Sequence, residues 1–369
     1  MNILNKIVCP YCLKTIDPQK TEGICSICGA KKALSIIRPF SGKNLKCPAA
    51  GCEGQINACI CPSCGSVVSK ELLNYKSNIR IIVAGHAASG KTCFMTSLIH
   101  ELRCSSESSL VLEPADDITR QAFTKNEHDM FDRGLMVPAT ALNSWTRPGL
   151  WRLSRLVAEK KRSSPAQLVS FIDPSGEQYQ SVGAAPFTFF GGTNDSIIFL
   201  IDALTLPKAV DTVSQDVRTA SMGNREYGVL KLSETVAYMA SLIRQSCGIN
   251  PGKLIRKDIA VVVSKIDTIM QSNDSFREVR RRSPHLLSNG FVQADGDAVS
   301  RETRDWLIQA GAEPFLRTVE NEFETEGIRY FALSSLGGSP GSIIQAAPHR
   351  VADPVIWILS RRGVLPVIK

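Results

Sequence analysis

Apolar and polar residues follow distinct patterns along the chain, and these patterns predict its regular elements. Mostly apolar runs of strand length recur from residue 79 onward, and each ends at or beside a glycine, serine or aspartate. Buried parallel strands read as nearly continuous apolar runs, whereas an amphipathic helix repeats its apolar residues roughly every three or four positions. The runs that predict strands are 79–84, 166–172, 195–202, 258–263 and 328–333. Helical patterns cover 93–103 and 297–323.

One segment alternates with a period of two. Residues 151–157 alternate, a basic turn occupies 160–165, and the apolar run that ends at Asp173 follows. Alternation, a polar turn and a returning apolar run predict a hairpin, so we expect one antiparallel strand beside the strand that leads to Asp173.

These elements predict an α/β fold with two parts. The larger part, residues 79–369, should hold a mainly parallel sheet flanked by helices, with helical insertions near 203–253 and 268–327. Residues 1–70 contain most of the cysteines and predict a small separate module, and residues 71–78 are polar enough to form a linker.

The composition is that of an ordinary globular protein. The chain has 369 residues, of which 43% are hydrophobic and 21% charged. No run approaches the roughly 18 apolar residues that a membrane-spanning helix needs. Cys9 and Cys12 lie where a signal peptide would carry its apolar stretch. We therefore expect a cytoplasmic protein without a membrane partner.

The cysteines indicate metal binding. Nine of the twelve precede residue 65, and eight of these form the close pairs Cys9/Cys12, Cys25/Cys28, Cys47/Cys52 and Cys61/Cys64. A reducing compartment disfavours disulfides, so four pairs predict two tetrahedral four-sulfur sites and about two Zn²⁺ ions. The spacing leaves open whether the sites use consecutive or interleaved pairs. Cys59 is a spare that could replace Cys61, while Cys93, Cys104 and Cys247 stand singly and are expected to be buried apolar residues.

The charge of the chain gives little support for nucleic-acid binding. The formal net charge is +8, and residues 1–78 supply +6 of it through ten Lys and Arg against four acids. Each zinc ion bound by four thiolates contributes about −2. Two such sites would reduce the segment to about +2. A nucleic-acid partner therefore stays possible but weakly supported.

A phosphate-binding motif follows the first predicted strand. Residues 85–92 read GHAASGKT, the full G-x-x-x-x-G-K-T loop, and a helical pattern begins at once. Strand, loop and helix in this order form an anion cradle in which Lys91 reaches the β and γ phosphates and the Thr92 hydroxyl binds magnesium. The expected nucleotide-contacting residues here are Gly85, Ser89, Gly90, Lys91, Thr92 and Cys93.

Three later motifs suggest which nucleotide is bound. Residues 173–176 read DPSG, a D-x-x-G signature in which Asp173 supports magnesium and Gly176 touches the γ phosphate. Residues 264–267 read SKID, where Asp267 can accept hydrogen bonds from guanine and Lys265 packs on the base. Ser334, Ser335 and Leu336 offer a backbone amide to the guanine O6. Each motif alone is weak, but all follow separate predicted strands, and ligands bind at the carboxyl ends of such strands.

With these motifs, residues 79–363 resemble the Ras-like, translation-factor-related class of P-loop GTPases. The segments 193–202, 297–323 and 352–357 are similar to the double-GTPase families of bacterial conflict and defence operons. The resemblance implies a P-loop GTPase sheet, GTP and GDP as ligands, Mg²⁺ as cofactor, hydrolysis of GTP and a role in bacterial defence.

The catalytic residues depart from the pattern of that class. Glu177 follows the D-x-x-G motif where Ras-like enzymes carry a water-orienting glutamine, and Thr140 is the best candidate for a threonine that senses the γ phosphate. The catalytic set expected from the resemblance is Lys91, Thr92, Asp173, Gly176, Glu177 and Thr140. Arg133, Arg147 and Arg152 could serve as an arginine finger, but structural roles are favoured for them, as for His86 and His100.

The sequence thus favours a magnesium-dependent, GTP-hydrolysing switch whose zinc module docks a partner protein. One alternative is an interaction module that binds GTP and hydrolyses it poorly, which Glu177 would explain. The other is a GTP-regulated nucleic-acid-binding protein, supported by Tyr11, Phe40 and nearby lysines.

Overall fold

The computed structural model describes residues 9–12, 14–16, 21–33, 45–73, 75, 78–106, 108–135, 137, 148–155, 167–173, 195–211, 213, 215, 228–270, 276–338 and 346–369. Across these ranges no helix combines the length and the apolar character needed to cross a membrane.

The amino-terminal part is a small antiparallel sheet built around one central strand. Its strands are β1 (Glu22–Cys25), β2 (Lys31–Ala33), β3 (Leu45–Lys46), β4 (Gln55–Ile60) and β5 (Val67–Ser69), followed by the short helix α1 (Lys70–Leu73). Strand β4 pairs with β1 on one side and with β3 and β5 on the other. Three of the four cysteine pairs therefore lie in or beside the turns that join these strands.

The larger part contains a mixed sheet. Seven described strands run in the order β13, β11, β10, β6, β9, β8, β7. Their bounds are β6 Asn78–Gly85, β7 Leu110–Pro114, β8 Gly149–Arg155, β9 Gln167–Ile172, β10 Asp195–Asp202, β11 Ile259–Ser264 and β13 Ile328–Ala332. Strands β13, β11, β10, β6 and β9 are mutually parallel. Strand β8 runs antiparallel to β9, which confirms the predicted hairpin. Strand β7 adds a second antiparallel pairing, so the sheet is mixed where a mainly parallel one was predicted.

Helices cover both faces of this sheet. They are α2 Lys91–Cys104, α3 Asp117–Glu127, α4 Pro207–Val210, α5 Val229–Cys247, α6 Ile266–Met270, α7 Gln293–Gln309, α8 Glu313–Glu322 and α9 Asp353–Arg361, and the two-residue strands β12 (Phe291–Val292) and β14 (Val367–Ile368) pair beside them. Ile82 of β6 faces the core layer that includes α5 and α8, whereas Ile81 and Val83 face the layer that includes α2 and α9. Burial on both faces explains why the central strands are apolar at most positions.

The cysteine-rich sheet packs directly on the larger sheet. Leu150 of β8 and Leu168 of β9 lie in the same apolar cluster as Cys9, Cys12 and Cys61. Leu72, which falls in the predicted linker, is buried in that cluster as well. The first residues of the predicted linker therefore form part of an apolar contact between the two sheets.

Candidate functional site

The predicted motifs meet at one edge of the large sheet. Strand β6 lies between β9 and β10, and the chain proceeds first to the β9 side and then to the β10 side. The carboxyl ends of parallel strands flank a crevice at such a reversal, which is where ligands bind in open α/β sheets. Gly85, Asp173, Lys265 and Ser334 all lie at these strand ends.

The loop after β6 has the backbone conformation that its glycines allow. Gly85 has a φ of +144°, and a Cβ atom there would lie 2.6 Å from the carbonyl oxygen of Leu200. Gly90 has a φ of +85° and is followed at once by α2. The first amides of a helix lack intrahelical partners, so this junction presents donors toward an anion.

Lys91 folds back over the loop. Its Nζ donates to the carbonyl oxygens of Gly85 and His86, each at 3.0 Å. The side chain is buried, so its positive charge is held within the loop rather than in solvent. A fixed cation beside helix amides is suited to hold phosphate oxygens.

Thr92 and Asp173 form an oxygen pair beside this cation. The Thr92 hydroxyl donates to Oδ2 of Asp173 at 3.0 Å. Oδ1 of Asp173 is buried and has no hydrogen-bond partner among the described residues. Burial raises the pKa of Asp173, against the opposite effects of Lys91 and Thr92. A hydroxyl and an unsatisfied carboxylate oxygen are ligands that fit Mg²⁺.

The SKID segment is attached to the phosphate loop. The Ser264 hydroxyl donates to the carbonyl oxygen of Ser89 at 2.9 Å. Nζ of Lys265 donates to the carbonyl oxygen of Ala88 at 2.9 Å and to Oδ2 of Asp202 at 2.6 Å. The phosphate loop and the predicted base-reading segment are therefore held together by side chains of β11 and the residue that follows it.

Asp267 and the loop after β13 form the other wall. The Ser334 hydroxyl donates to Oδ1 of Asp267 and accepts from the Gly337 amide at 2.9 Å. Gly337 has a φ of +80°, and a Cβ atom there would approach the carbonyl oxygen of Ala347 to 2.4 Å. Ser97 of α2 donates to the carbonyl oxygen of Ser335 at 2.7 Å. The half-buried carboxylate of Asp267 thus contacts Ser334, the first of the three residues predicted for this wall.

Several expected residues are placed away from this edge or outside the described chain. Thr140, Arg147, Gly176 and Glu177 lie outside the described residues. The two arginines that are described make ion pairs elsewhere: Arg133 with Asp129 at 2.9 Å, and Arg152 with Glu113 at 3.7 Å.

Two further residues of the edge have clear local roles. His86 lies in the loop, and burial, with Lys91 as a second cause, lowers its pKa to about 4, so it is neutral near pH 7. Asp202 was not among the predicted site residues, although it ends β10 much as Asp173 follows β9. An acidic residue at the end of an apolar strand is the signal that could have found it.

The first cysteine pair of the chain groups with the fourth, and the second groups with the third. We call Cys9, Cys12, Cys61 and Cys64 the inner group, because it lies closer to the large sheet, and Cys25, Cys28, Cys47 and Cys52 the outer group. The sulfurs of each group lie within 4.8 Å of one another. Sulfur separations across pairs are 3.9 and 3.6 Å in the inner group and 3.8 and 3.4 Å in the outer group. A zinc tetrahedron with bonds of about 2.3 Å has edges of about 3.8 Å, so both groups fit zinc.

The two groups differ in exposure. Cys9, Cys12 and Cys61 of the inner group are buried, whereas Cys28 of the outer group is exposed. Amides of Cys28 and Ile27 direct hydrogen bonds at Cys25 and lower the pKa of its thiol to about 6. Gly29 and Gly65, which follow the second cysteines of two pairs, adopt φ values of +72° and +70°, as the tight turns require.

The remaining cysteines belong to neither group within the described chain. Cys59 is buried on β4, and burial raises the pKa of its thiol to about 11. Cys93 is half-buried, but Cys104 and Cys247 are exposed, so the expectation that all single cysteines are buried apolar residues is wrong for these two. They lie in the last turns of α2 and α5, where one side of the helix faces solvent.

Comparison with known proteins gives one relative and several distant structural likenesses. No protein-family model matches the chain. SaeC of Mycolicibacterium smegmatis, a protein named for ESX-1 scaffolding and assembly, is 25% identical over 342 residues, which cover 83% of this chain and 80% of SaeC.

Three of the similar solved structures contain a bound nucleotide or nucleotide analogue. The small GTPase Arl6 of Trypanosoma brucei, with a bound nucleotide analogue, has 12% identity and a TM-score of 0.33 over 78% of this chain and 98% of its own. The GTPase-like domain of S. cerevisiae Ski7, bound to GDP and phosphate, has 13% identity and a TM-score of 0.35, with 78% and 51% covered. Sup35 complexed with GMPPNP has 13% identity and a TM-score of 0.28, with 70% and 38% covered.

This chain therefore spans about half of the Ski7 chain and little more than a third of the Sup35 chain. All three likenesses have TM-scores of 0.35 or less.

Proposed function

We propose that this chain is a magnesium-dependent GTP-binding switch that hydrolyses GTP and carries two structural zinc ions. The observation that carries the proposal is the attachment of the SKID segment to the phosphate loop. Ser264 and Lys265 reach the carbonyl oxygens of Ser89 and Ala88, so a nucleotide base beside Asp267 and phosphates beside Lys91 would rest on one continuous surface.

Each residue has a defined task in this proposal. The amides after Gly85 and the Lys91 ammonium bind the β and γ phosphates, and Asp267 accepts from the N1 and N2 hydrogens of guanine. Thr92 and Asp173 would hold Mg²⁺, which neutralises phosphate charge when bound. Glu177 and Thr140 are proposed to position water and sense the γ phosphate.

An alternative function differs from the proposed one only in the hydrolysis of GTP. An interaction module that binds GTP without efficient hydrolysis would use the same binding residues, and Glu177 in place of glutamine favours it. Single-turnover hydrolysis of GTP separates the two functions, because it follows cleavage on the enzyme without product release.

The zinc-binding part is proposed to support a protein partner. The similarity to SaeC extends over most of both chains, and the name of SaeC states a role in scaffolding and assembly. This supports a protein partner for the present chain. Cys28 is the exposed member of the outer group and would mark the side available to such a partner, whereas Cys25 of the same group is buried in the apolar cluster that contacts the large sheet. Roles in bacterial defence and in nucleic-acid binding stay predictions.

The proposed function is tested by nucleotide binding to the full chain. We expect GTP and GDP to bind in the presence of Mg²⁺ roughly a hundredfold more tightly than ATP, or better, because a carboxylate that accepts from guanine N1–H and N2 would face the N1 acceptor of adenine. Calorimetric titration with each nucleotide, with and without chelator, measures this. Equal affinity for ATP and GTP would contradict the assignment of the base, and no binding of either would contradict the function as a whole.

A further inference from the structure

A third cluster of metal-ligand atoms lies away from the nucleotide edge, on the solvent side of α2 and α3. Nδ1 of His100, Sγ of Cys104 and a carboxylate oxygen of Glu127 all lie within 4.8 Å of one another. His100 and Cys104 are four residues apart in the last turns of α2, so they share one face of that helix. Glu127 ends the neighbouring helix α3 and approaches the same face.

We propose that these three residues bind one divalent transition-metal ion, of the class of Zn²⁺, Co²⁺ or Ni²⁺, with a fourth position open to solvent. Imidazole, thiolate and carboxylate are the three side-chain types that such ions bind. This site is separate from both four-cysteine groups and does not depend on the identity of the nucleotide.

The separations of the ligand atoms are close to those that a metal would impose. Sγ of Cys104 lies 3.7 Å from Nδ1 of His100. A tetrahedral ion with bonds of about 2.3 Å to sulfur and about 2.0 Å to nitrogen sets this edge near 3.5 Å. Nδ1 of His100 and Oε1 of Glu127 are joined by a hydrogen bond, with 2.7 Å between the two atoms. An ion in place of that hydrogen would increase their separation by roughly half an ångström.

Neighbouring side chains hold the ligands in this arrangement. Phe131 stacks on the His100 ring with 3.8 Å between centroids and 16° between planes. Arg103 contacts the other carboxylate oxygen of Glu127 at 3.5 Å, which leaves Oε1 directed at His100. Supporting contacts of this kind orient metal ligands and increase affinity.

The backbone beside the proposed ligands has an unusual conformation. Helix α3 passes directly into a π-helical turn at His128–Asp132, and Phe131 belongs to this turn. Short π-helical turns are rare and occur often at functional sites. Here the turn places an aromatic ring on one of the proposed ligands.

The open side of the cluster is accessible to a small ion. The side chains of His100 and Glu127 are 29% and 23% exposed, and Cys104 is an exposed residue. An ion could therefore enter without unfolding α2 or α3, and the protein could exchange it more readily than an ion enclosed by buried cysteines.

The test is metal stoichiometry on the full chain as purified, with its four-cysteine groups intact. We expect the wild type to bind one more equivalent of Zn²⁺ than Cys104→Ser, measured by calorimetry and elemental analysis after desalting. Cys247→Ser is the matched control, because Cys247 is also an exposed cysteine near a helix end. This control should bind as much zinc as the wild type.

Cobalt titration gives an independent readout of the ligands. Adding Co²⁺ to the chain loaded with only two equivalents of Zn²⁺, which the four-cysteine groups take up, should produce a thiolate-to-cobalt charge-transfer band that Cys104→Ser lacks and Cys247→Ser retains. Phe131→Leu, which leaves all three ligands, should weaken binding roughly tenfold. Equal stoichiometry in wild type and Cys104→Ser, or a cobalt band that survives in Cys104→Ser, would overturn the proposal and leave His100 and Glu127 as a hydrogen-bonded pair.

Discussion

The hydroxyl of Tyr11 donates a 2.8 Å hydrogen bond to Oδ2 of Asp116. Tyr11 lies between two cysteines of the inner group, and Asp116 caps α3 by accepting from the Thr119 amide at 2.7 Å. One carboxylate therefore joins the inner cysteine group to the first turn of a helix on the large sheet.

This bond should contribute measurably to stability. Tyr11→Phe removes the hydroxyl from a buried position and leaves one carboxylate oxygen of Asp116 without its partner. We expect the free energy of unfolding to fall by about 1–3 kcal/mol while the zinc content stays unchanged. Chemical denaturation with elemental analysis measures both. An unchanged unfolding free energy would show that solvent replaces the hydroxyl without cost.

The two cysteine groups should respond differently to loss of one ligand. Cys12→Ser and Cys28→Ser should each release about one zinc ion, because one lost thiolate breaks one four-ligand site. Cys12 shares an apolar cluster with Leu150 and Leu168, so its variant should also lower the melting temperature of the large sheet. Cys28 is exposed and lies outside that cluster, so its variant should lower that temperature less. Equal losses of stability would contradict the assignment of inner and outer groups.

The strands and the cysteine pairs were predictable from the sequence because their signals are local. A strand buried on both faces is apolar over a continuous stretch, and Ile197 to Ile201 of β10 show this directly. Pairs such as Cys25/Cys28 are set by a single turn. How pairs combine was not predictable, because it depends on β4 pairing with β1, from which it is separated in the chain by β2 and β3.

Other features were missed because their signals are weak in sequence. Strand β7 has only five residues and lies at a sheet edge, so Leu110 and Leu112 give a short apolar pattern. Asp202 gains its place in the site through a contact with Lys265, which the order of residues does not reveal. Tyr11 and Asp116 are 105 positions apart, and nothing local connects them.

Lys91→Ala should abolish tight binding of nucleoside triphosphate. The substitution removes the ammonium that the loop holds at its centre, and a charge-assisted contact to phosphate is lost in the ground state. Lys125→Ala, which removes an exposed lysine of α3, is the control and should bind like the wild type. Fluorescent GTP analogues report the affinity. Equal affinity of Lys91→Ala and the wild type for these analogues would contradict the assignment of residues 85–92 as a phosphate-binding loop.

Asp173→Asn should keep or raise the stability of the nucleotide-free protein and should abolish its binding of magnesium. Because burial raises the pKa of Asp173, its ionised form is disfavoured in the folded protein, and stability is lost as pH rises through that raised pKa. The amide variant should therefore unfold at an equal or higher temperature than the nucleotide-free wild type at pH 7, and the difference should shrink as the pH is lowered. It should also lose the magnesium dependence of GTP binding. A variant that is less stable yet still magnesium-dependent would contradict both assignments.

Asp267→Asn should change which base the protein prefers. An ionised Asp267 only accepts hydrogen bonds, and guanine presents two donors, N1–H and the N2 amino group, which allow a charge-assisted bidentate pair. The amide can donate, so it suits the carbonyl oxygen that xanthine carries at position 2. Ser334 already donates to Oδ1 of Asp267, which fixes the orientation of the group in either form.

We therefore expect Asp267→Asn to weaken the binding of GTP by about fivefold to a hundredfold, about 1–3 kcal/mol, and to strengthen the binding of xanthosine triphosphate. The control is Asp117→Asn, because Asp117 is an exposed aspartate of α3 that should not contact nucleotide. Affinities of both variants and the wild type for GTP, ATP and xanthosine triphosphate decide the matter. A wild type that prefers ATP, or an Asp267→Asn profile identical to wild type, would show that Asp267 does not read the base. In that case the hydrogen bonds from Ser264 and Lys265 to the phosphate loop would serve to hold the loop in place rather than to join it to a guanine pocket.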